Sequence, residues 1–210
     1  MNRPFRRSNM PMEKWFETVH LEGELVALIP LEEDHKEGLL KAASDGKLWE
    51  LWFTSVPSET TIDTYIHTAL AQKQKGLEYP FVVIEKSSGT IIGSTRFYNL
   101  QPEHKRLEIG YTWYAKKHQR TGVNTECKLL LLQFAFETLK CIAVQFMTDS
   151  HNERSRAAIA RIGAKQDGIL RHHRINTDGT YRDSVVFSIT NHEWPEVKKS
   201  LELKRQKYSG

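Results

Sequence analysis

The chain has 210 residues, 39% of them hydrophobic, so it is long enough to fold as one domain with a sizeable core. No run approaches the roughly 20 apolar residues that a membrane-spanning helix needs, and the first residues lack the apolar stretch of a signal peptide. The formal net charge is +4. Cys127 and Cys141 lie in apolar segments and are expected to be buried thiols rather than a disulfide. We therefore expect a soluble, cytoplasmic protein without a membrane partner.

The basic residues are concentrated near the two ends of the chain. Arg3, Arg6 and Arg7 occur without an acidic residue among positions 1–12, and the stretch 198–207 is a mixed, mainly basic tail. Both ends are typical of solvated extensions. No aromatic RNA-binding signature, zinc-ligand spacing or recognition-helix pattern accompanies the charge, so we do not expect a nucleic-acid partner.

Secondary-structure signals alternate along the chain in an α/β order. Apolar alternation and turn residues predict strands at residues 24–30, 81–85, 90–99, 105–114, 141–147, 169–177 and 180–189. Helical spacing of apolar residues predicts helices at residues 31–46, 60–75, 123–139 and 152–162. The second to fourth strands should form an antiparallel meander, and the near-continuously apolar strand after the long helix suggests parallel pairing. In the last hairpin, a turn at Asp178 and Gly179 would place Arg174 opposite Asp183.

A glycine-containing turn joins the strand that ends at Tyr114 to the long apolar helix. The turn contains Gln119, Arg120, Thr121, Gly122, Val123 and Asn124. A turn that leads into a helix leaves several backbone N–H groups without intrahelical acceptors, and the helix dipole adds partial positive charge there. Such a turn can hold an anionic phosphate group. The alternative interpretation is an ordinary connection between a strand and a helix.

The pattern Gln-x-x-Gly-x-Asn resembles the Gln/Arg-x-x-Gly-x-Gly/Ala pyrophosphate loop of the GNAT superfamily of N-acetyltransferases. Within that superfamily, residues 20–195 look most like the branch that includes the ribosomal-protein acetyltransferases RimJ and RimL. The residues that carry the resemblance outside the turn are Gly93, Glu108, Ile109, Gly110, Tyr111, Thr112, Trp113, Asn152, Ser155, Arg161, Ile162, Gly163, Ala164, Gly168, Ile169, Leu170, Arg171, Arg182, Asp183, Glu193 and Trp194.

The resemblance implies an α/β (α+β) fold with a central sheet of about seven strands. This sheet would be twisted, mixed but mostly antiparallel, flanked by helices, and splayed apart at an acetyl-CoA site. The resemblance also implies three parts of the chain: a basic N-terminal extension at 1–19, the acetyltransferase domain at 20–195 and a charged C-terminal tail at 196–210.

By the same resemblance, the chain binds acetyl-CoA and releases coenzyme A. The residues that would contact it are the backbone of Thr112, Trp113 and Tyr114, the loop residues Gln119, Arg120, Thr121, Gly122, Val123, Asn124 and Thr125, and the helix residues Asn152 and Ser155. Trp113 is otherwise a core aromatic, and Asn152 is otherwise a helix N-cap. Asn124 stands where the family usually has Gly or Ala, so its side chain could crowd the pyrophosphate, although Asn tolerates unusual backbone angles.

Transfer of an acetyl group to an amine requires the free base, and amines are mostly protonated at pH 7. Glu108 is the candidate base, and simple alternation places it on the opposite face of its strand from Leu107, Ile109 and Tyr111 unless a bulge changes the phase. The alternative is a structural glutamate in the sheet.

The resemblance places Ser155 near the cofactor sulfur, where it could protonate the departing thiolate; Tyr111, Tyr114 and Tyr181 are alternative acids. No spacing of a nucleophile and a base argues for a covalent acyl-enzyme, which favours direct attack in a ternary complex. The histidines do not form metal-ligand patterns, so no metal is expected.

The acceptor site is expected at residues 48–61 together with the last hairpin. Trp49, Trp52 and Glu108 would contact an amine-bearing acceptor, either a protein N-terminus or a small molecule, and Glu50 or Glu59 could attract a cationic one. The two tryptophans could equally belong to the core.

Two further expectations concern assembly and function class. A homodimer could form through the last hairpin or through a surface at Glu193 and Trp194. The competing function class is a non-catalytic acyl-CoA-binding or ribosome-associated module, suggested by Asn124 and by the absence of a tyrosine from the helix at 152–162.

Overall fold

A computed structural model describes residues 15, 18–51, 55–176 and 178–208. Within them, eight strands form one sheet in the order β1-β2-β3-β4-β5-β6-β8-β7. The strands are β1 (Leu21–Glu22), β2 (Val26–Pro30), β3 (Glu78–Glu85), β4 (Thr90–Gln101), β5 (Arg106–Tyr114), β6 (Ala143–Asp149), β7 (Lys165–Ile175) and β8 (Tyr181–Thr190). The α-helices are α1 (Lys36–Ser44), α2 (Ile62–Gln74), α3 (Val123–Gln133), α4 (Glu153–Arg161) and α5 (Trp194–Gln206), and a π-helical turn (Phe134–Thr138) extends α3. No helix in this part of the chain is long and apolar enough to cross a membrane.

The strand pairing confirms the predicted sheet. β2 through β5 pair antiparallel with their neighbours, β5 pairs parallel with β6, and β8 runs antiparallel to both β6 and β7. The additional strand is the two-residue β1, which is too short to give an alternation signal in the sequence.

Helices cover both faces of the sheet because each strand alternates its apolar side chains between two cores. Phe81 and Val83 belong to one core, whereas Val82 between them belongs to the other. The first core contains Cys127 and Leu131 of α3 and Leu201 of α5, and the second contains buried residues of α1 and α2. Both cysteines are buried free thiols, as predicted.

The predicted solvated C-terminal tail is wrong, because residues 194–206 form α5. Val197 and Leu201 are buried in the core beneath this helix. Trp194, predicted to be part of an exposed surface, is also buried, stacks on Phe136 with ring centroids 5.3 Å apart, and donates from Nε1 to Glu137 at 3.0 Å. The sequence obscured this helix because charged residues occupy its solvent face while few apolar residues mark its buried face.

The register of the last hairpin differs by one residue from the predicted one. Arg174 pairs with Arg182 instead of Asp183. The cause is the turn: the backbone N–H of Asn176 donates to the carbonyl of Thr180, so three residues rather than two lie between the paired positions. Asp183 instead accepts a hydrogen bond from the backbone N–H of His172 at 2.7 Å.

Candidate active site

The sheet opens between β5 and β6. These strands pair only from Arg106 to Glu108 on β5, although β5 continues to Tyr114 and β6 to Asp149. The backbone of β5 beyond Glu108 therefore borders a gap instead of a paired strand. A slot of about 740 Å³ occupies this gap and extends to the start of α3 and to one face of α4.

A β-bulge at Tyr111 sets the direction of the side chains on β5. Arg96 of β4 pairs with Gly110, whereas Ser94, two residues away, pairs with Trp113, so β5 carries one extra residue here. Tyr111 has the left-handed φ of 51° that such a bulge can require. The predicted alternation is therefore wrong for Tyr111, which lies on the same face as Glu108 and Gly110, but right for Leu107 and Ile109, which pack in the core on the α3 side.

Arg96 holds Tyr111 in place on this face. Its guanidinium carbon lies 4.7 Å from the ring centroids of both Tyr65 and Tyr111, and its Nη1 donates to Glu78 at 2.8 Å. Tyr111 in turn meets the ring of Tyr98 edge to face at 5.2 Å. Tyr98 and Tyr111 thereby form a fixed aromatic wall of the slot.

Helix α3 begins at the predicted cradle. The backbone N–H of Val123 donates to Thr121 Oγ1 at 3.3 Å, and no acceptor is found within the described residues for the N–H groups of Asn124 and Thr125. These donors lie at the positive end of the helix dipole. Arg120 lines the slot beside them, and Gln119 is anchored by donating from Nε2 to the carbonyl of Tyr114 at 3.0 Å.

Asn124 has a structural partner that explains its departure from the family pattern. Its side-chain oxygen accepts a hydrogen bond from the hydroxyl of Tyr114 at 3.3 Å. Tyr114 is buried, and burial raises the pKa of its phenol well above the ordinary value. The Asn124 side chain is thus directed at a buried hydroxyl that needs an acceptor.

Tyr208, which follows α5, reaches the cradle. A Cβ placed on Gly122 would lie 2.8 Å from Cβ of Tyr208 and 3.0 Å from a methyl carbon of Leu25. A side chain at position 122 would therefore displace the C-terminal segment in addition to altering the loop. The tail predicted to be solvated is instead part of the wall of the slot.

The charged groups lining the slot in the described part of the chain are all basic. They are Arg120, Lys128, Arg154, Arg161, Arg174 and Arg182. Open backbone N–H groups, several basic side chains and a gap along β5 are what an elongated, multiply phosphorylated ligand requires. The donor set therefore fits coenzyme A.

Lys128 is a slot residue that the sequence prediction missed. It is 7% exposed, and its ammonium donates to Thr112 Oγ1 at 2.8 Å without a carboxylate within 4 Å in the described chain. Burial lowers the pKa of Lys128 from 10.5 to about 8. The available signal was a lysine interrupting an otherwise apolar stretch of helix, between Cys127 and Leu129.

Glu108 lies behind the slot and does not line it. Its side chain accepts from Asn99 Nδ2 at 2.6 Å, while its second carboxylate oxygen is buried without a hydrogen-bond partner in the described residues. Tyr98, another residue that the sequence prediction missed, lines the slot and packs over Gly110. Burial and the neighbouring charge of Glu108 raise the pKa of the Tyr98 phenol. Tyr98 is therefore the group that connects the Glu108 carboxylate with the slot.

The stripe predicted on the fourth helix faces the slot. Asn152, Ser155, Ile159 and Ile162 all line it. Asn152 is the N-cap of α4 and accepts from the backbone N–H of Ser155 at 3.0 Å, so its alternative role as a cap is confirmed. The Ser155 hydroxyl has no hydrogen-bond partner in the described part of the chain and is free to meet a ligand.

The other residues predicted to contact acetyl-CoA differ in whether their backbone or their side chain reaches the slot. Thr112, Trp113 and Tyr114 all line the slot, but the Trp113 side chain is buried in the core on the α2 side, as its alternative role predicted. Trp113 Nε1 donates to the hydroxyl of Tyr65 at 3.3 Å. Thr125 is buried, so only its backbone is placed to serve the cradle.

The acceptor end differs from the prediction. Trp49 packs against the core on the α1 and α2 side and does not line the slot, where Leu48 and Leu51 lie instead. Its predicted acceptor contact therefore gains no support from the slot lining and stays a prediction. Trp52 lies outside the described residues. Glu50 and Glu59 are exposed and outside the slot lining.

The described residues contain no cluster of three or more histidine, cysteine or acidic side chains that could hold a metal ion. His118 is buried beside the cradle with its Nδ1 3.5 Å from Glu85. His172 stacks on Tyr181 at 4.6 Å, and Tyr181 is exposed beyond the slot lining. Of the alternative acids, only Tyr111 and Tyr114 border the slot.

Known proteins share this architecture. The family described as the acetyltransferase (GNAT) domain matches residues 26–165. YdaF of Bacillus subtilis (strain 168), named as a ribosomal N-acetyltransferase, is 28% identical over 153 residues, which are 70% of this chain and 80% of YdaF.

A GCN5-related N-acetyltransferase from Brucella melitensis superposes with a TM-score of 0.79 and 26% identity, covering 89% of this chain and 85% of that one. RimJ of Mycobacterium smegmatis, solved in complex with CoA-disulfide, has the same fold with a TM-score of 0.72 and 21% identity, covering 89% of this chain and 93% of that one. The chain thus belongs to the GNAT family and is an N-acetyltransferase.

Proposed function

We propose that this N-acetyltransferase uses acetyl-CoA as donor and a primary amine as acceptor, by direct attack in a ternary complex. The observation that carries the proposal is the slot itself: it begins at the open N–H groups of α3 and continues along the unpaired edge of β5. When bound there, acetyl-CoA supplies the thioester whose acetyl group is transferred.

The donor would be held by three parts of the slot. The cradle from Gln119 to Thr125, with Arg120 and Arg154 beside it, binds the pyrophosphate through backbone N–H groups and guanidinium ions. The open backbone of Thr112, Trp113 and Tyr114 pairs with the amides of the pantetheine arm. Lys128, whose ammonium has two further N–H donors beyond its bond to Thr112, meets an oxygen of the same arm.

Glu108 and Tyr98 would accept the proton that the amine must lose. Tyr98 lines the slot, and the Glu108 carboxylate behind it has one oxygen for which the described residues offer no hydrogen bond of good geometry. We propose that the proton moves to Glu108 through Tyr98 or through a water between them. At the other side, the free hydroxyl of Ser155 donates a hydrogen bond to the departing thiolate, and Asn152 orients the helix terminus that carries it.

Calorimetric titration with acetyl-CoA tests the donor. Arg120 is exposed and borders the slot, so Arg120→Glu should weaken binding at least about tenfold through charge reversal at the phosphates. Lys117→Glu is the matched control, since Lys117 is exposed on the preceding turn outside the slot lining. Gly122 is a poorer test position because any side chain there meets Tyr208. Absence of wild-type binding, or equal losses in both variants, would contradict the proposal.

Two variants test the chemistry. Glu108→Gln and Ser155→Ala should leave acetyl-CoA affinity unchanged and lower kcat in an assay of coenzyme A release with amine acceptors. Unchanged kcat in both variants would show that neither residue takes part.

The relatives suggest the setting of the reaction. YdaF is named as a ribosomal N-acetyltransferase, which supports a protein N-terminus as one acceptor alongside small amines.

We propose cytoplasmic location, and a catalytic domain that extends from residue 20 through α5 and so exceeds the predicted 20–195. We also propose a homodimer through the exposed β7 edge; light scattering that finds only monomer would exclude it.

A further inference from the structure

Two arginines face each other on the last hairpin. Arg174 of β7 and Arg182 of β8 are a directly paired cross-strand position, and both line the slot. Like charges at such a position repel each other and are destabilising. Burial and the charge of Arg174 both lower the pKa of the Arg182 guanidinium, as this repulsion requires.

The neighbouring acids pair with only one of the two arginines in the described residues. Oδ2 of Asp149 lies 3.4 Å from Nε of Arg182, while its Oδ1 accepts from the backbone N–H of His151 at 2.8 Å. Arg174 has no carboxylate within 4 Å in the described residues. Asp183, the partner that the sequence predicted for Arg174, is instead used by the backbone of His172. Arg174, whose side chain is exposed, therefore has no counterion among the residues that the structure describes.

Arg174 and Arg182 lie beside the aromatic wall of Tyr98 and Tyr111 rather than among the loop residues of the cradle. The charges of Arg174 and Arg182 act on the phenol of Tyr98, which pairs with Glu108 at the start of the splayed part of β5. The cradle follows Tyr114, at the other end of that strand. The Tyr98 ring lies over Gly110, and Gly110 and Tyr114 pair with Arg96 and Gly93, which are three residue steps or about 10 Å apart on β4.

We propose that Arg174 and Arg182 bind a carboxylate that the acceptor carries close to its primary amine; this inference rests on the proposed acetyl transfer. Guanidinium groups bind carboxylates with paired, charge-assisted hydrogen bonds, and an incoming carboxylate would separate two like charges. Two kinds of acceptor carry such a carboxylate: a free amino acid, which has an α-carboxylate, and a peptide with an acidic side chain near its N-terminus. Polycationic acceptors such as polyamines and aminoglycosides are disfavoured by the same charges.

Matched acceptors test the proposal. The peptides Ser-Asp-Ala-Ala and Ser-Asn-Ala-Ala differ by one carboxylate, as do L-serine and L-serine amide, and both pairs are assayed for kcat/KM with acetyl-CoA. The wild type should have a kcat/KM about tenfold or more higher for the carboxylate member of at least one pair. The pair with this preference shows whether the bound carboxylate is an α-carboxylate or an acidic side chain. Arg174→Gln should reduce that preference to about onefold, measured as the ratio of kcat/KM for the two members of the pair.

Two further variants keep the result interpretable. Arg171→Gln is the control, since Arg171 is exposed on the same strand and outside the slot lining, and it should retain the full preference. Arg182→Lys keeps the charge beside Asp149 but loses the paired geometry, and should lose part of the preference. Equal use of both members of each pair by the wild type, or an unchanged preference in Arg174→Gln, would overturn the inference.

Failure of the inference and failure of the proposed function give different results. Without acetyl-CoA binding, the proposed function fails first. If acetyl-CoA binds but none of these amines is acetylated, the affinities of the two peptides are measured by calorimetry in the presence of coenzyme A. Equal affinities, or no binding of either peptide, would overturn the carboxylate inference and leave the proposed function standing.

Discussion

Replacing Lys128 with methionine should stabilise the protein at neutral pH. Met matches the length of the lysine side chain without its charge, and Thr112 Oγ1 keeps a hydrogen-bond partner in Thr95 at 2.8 Å after the ammonium is gone. Lowering the pKa of Lys128 from 10.5 to about 8 corresponds to about 3 kcal/mol of unfavourable charge burial, since a change of one in pKa is about 1.4 kcal/mol. Subtracting about 1 kcal/mol for the lost hydrogen bond leaves a gain of about 2 kcal/mol.

The pH dependence of this gain has a defined sign. Below pH 8 the lysine is charged in both the folded and the unfolded states, so the folded protein carries the whole cost. Between pH 8 and 10.5 the folded state releases its proton while the unfolded state keeps it, so wild-type stability rises with pH relative to the variant. The advantage of Lys128→Met should therefore shrink between pH 8 and 10.5.

Urea unfolding of both proteins at pH 7 and pH 10 measures the difference directly, because titrations of other groups cancel in the comparison. At pH 10 Cys127 and Cys141 ionise in the unfolded state but not in the folded state, where burial raises their pKa from 9.0 to about 12, so they destabilise both proteins and this effect also cancels. The same variant should bind acetyl-CoA more weakly than the wild type. A variant that is less stable at pH 7, or whose advantage does not change with pH, would refute the reasoning.

Three other variants test contacts around the slot and the C-terminal helix. Asn124→Ala leaves the buried Tyr114 hydroxyl without its acceptor and should cost about 1–3 kcal/mol in urea unfolding; a tightening of acetyl-CoA binding would show that the asparagine crowds the ligand instead. Glu126 accepts hydrogen bonds from three consecutive backbone N–H groups, at residues 24–26, so Glu126→Gln should cost about 3 kcal/mol, and a loss below about 1 kcal/mol would contradict that role. The ion pair with Lys165 and the hydrogen bonds from Thr190 lower the pKa of Glu193 to about 2, so Glu193→Gln should destabilise at pH 7 and progressively less as pH falls from 4.5 towards 2 in thermal melts; a pH-independent effect would exclude the charge as the cause.

Sequence reasoning located the meander and the turn before α3, at which the cradle is proposed, because both depend on local order along the chain. The turn from Gln119 to Asn124 precedes a strongly apolar helix, and the three strands before it are joined by short connections. Sequence order also predicted the parallel step from β5 to β6, since a helix lies between two apolar strands.

The predictions were wrong where one extra residue shifted the alternation of side chains or the register of a strand. They were also wrong where contacts distant in sequence determined which residues are buried. The bulge at Tyr111 shifts the alternation by one, and a single extra turn residue moves Arg174 from Asp183 to Arg182. Glu126 illustrates the second case: it is fully buried in α3, where the backbone N–H groups of residues 24–26 donate to it and Arg205 lies 3.9 Å away. Neither kind of contact has a signature in local composition.

The charges of the slot are easier to understand as a ligand site than as parts of a stable fold. Within the described residues Lys128 is buried without a counterion, and the exposed Arg174 opposes Arg182, so the first arrangement lowers the stability of the free protein and the second lowers it less. An anion bound near either position removes the cost, and a ligand that binds only the folded state adds its binding free energy to stability. In the proposed ternary complex, an oxygen of the pantetheine arm accepts a hydrogen bond from Lys128, and a carboxylate of the acceptor binds Arg174 and Arg182. Both costs would then be relieved only when donor and acceptor are bound together.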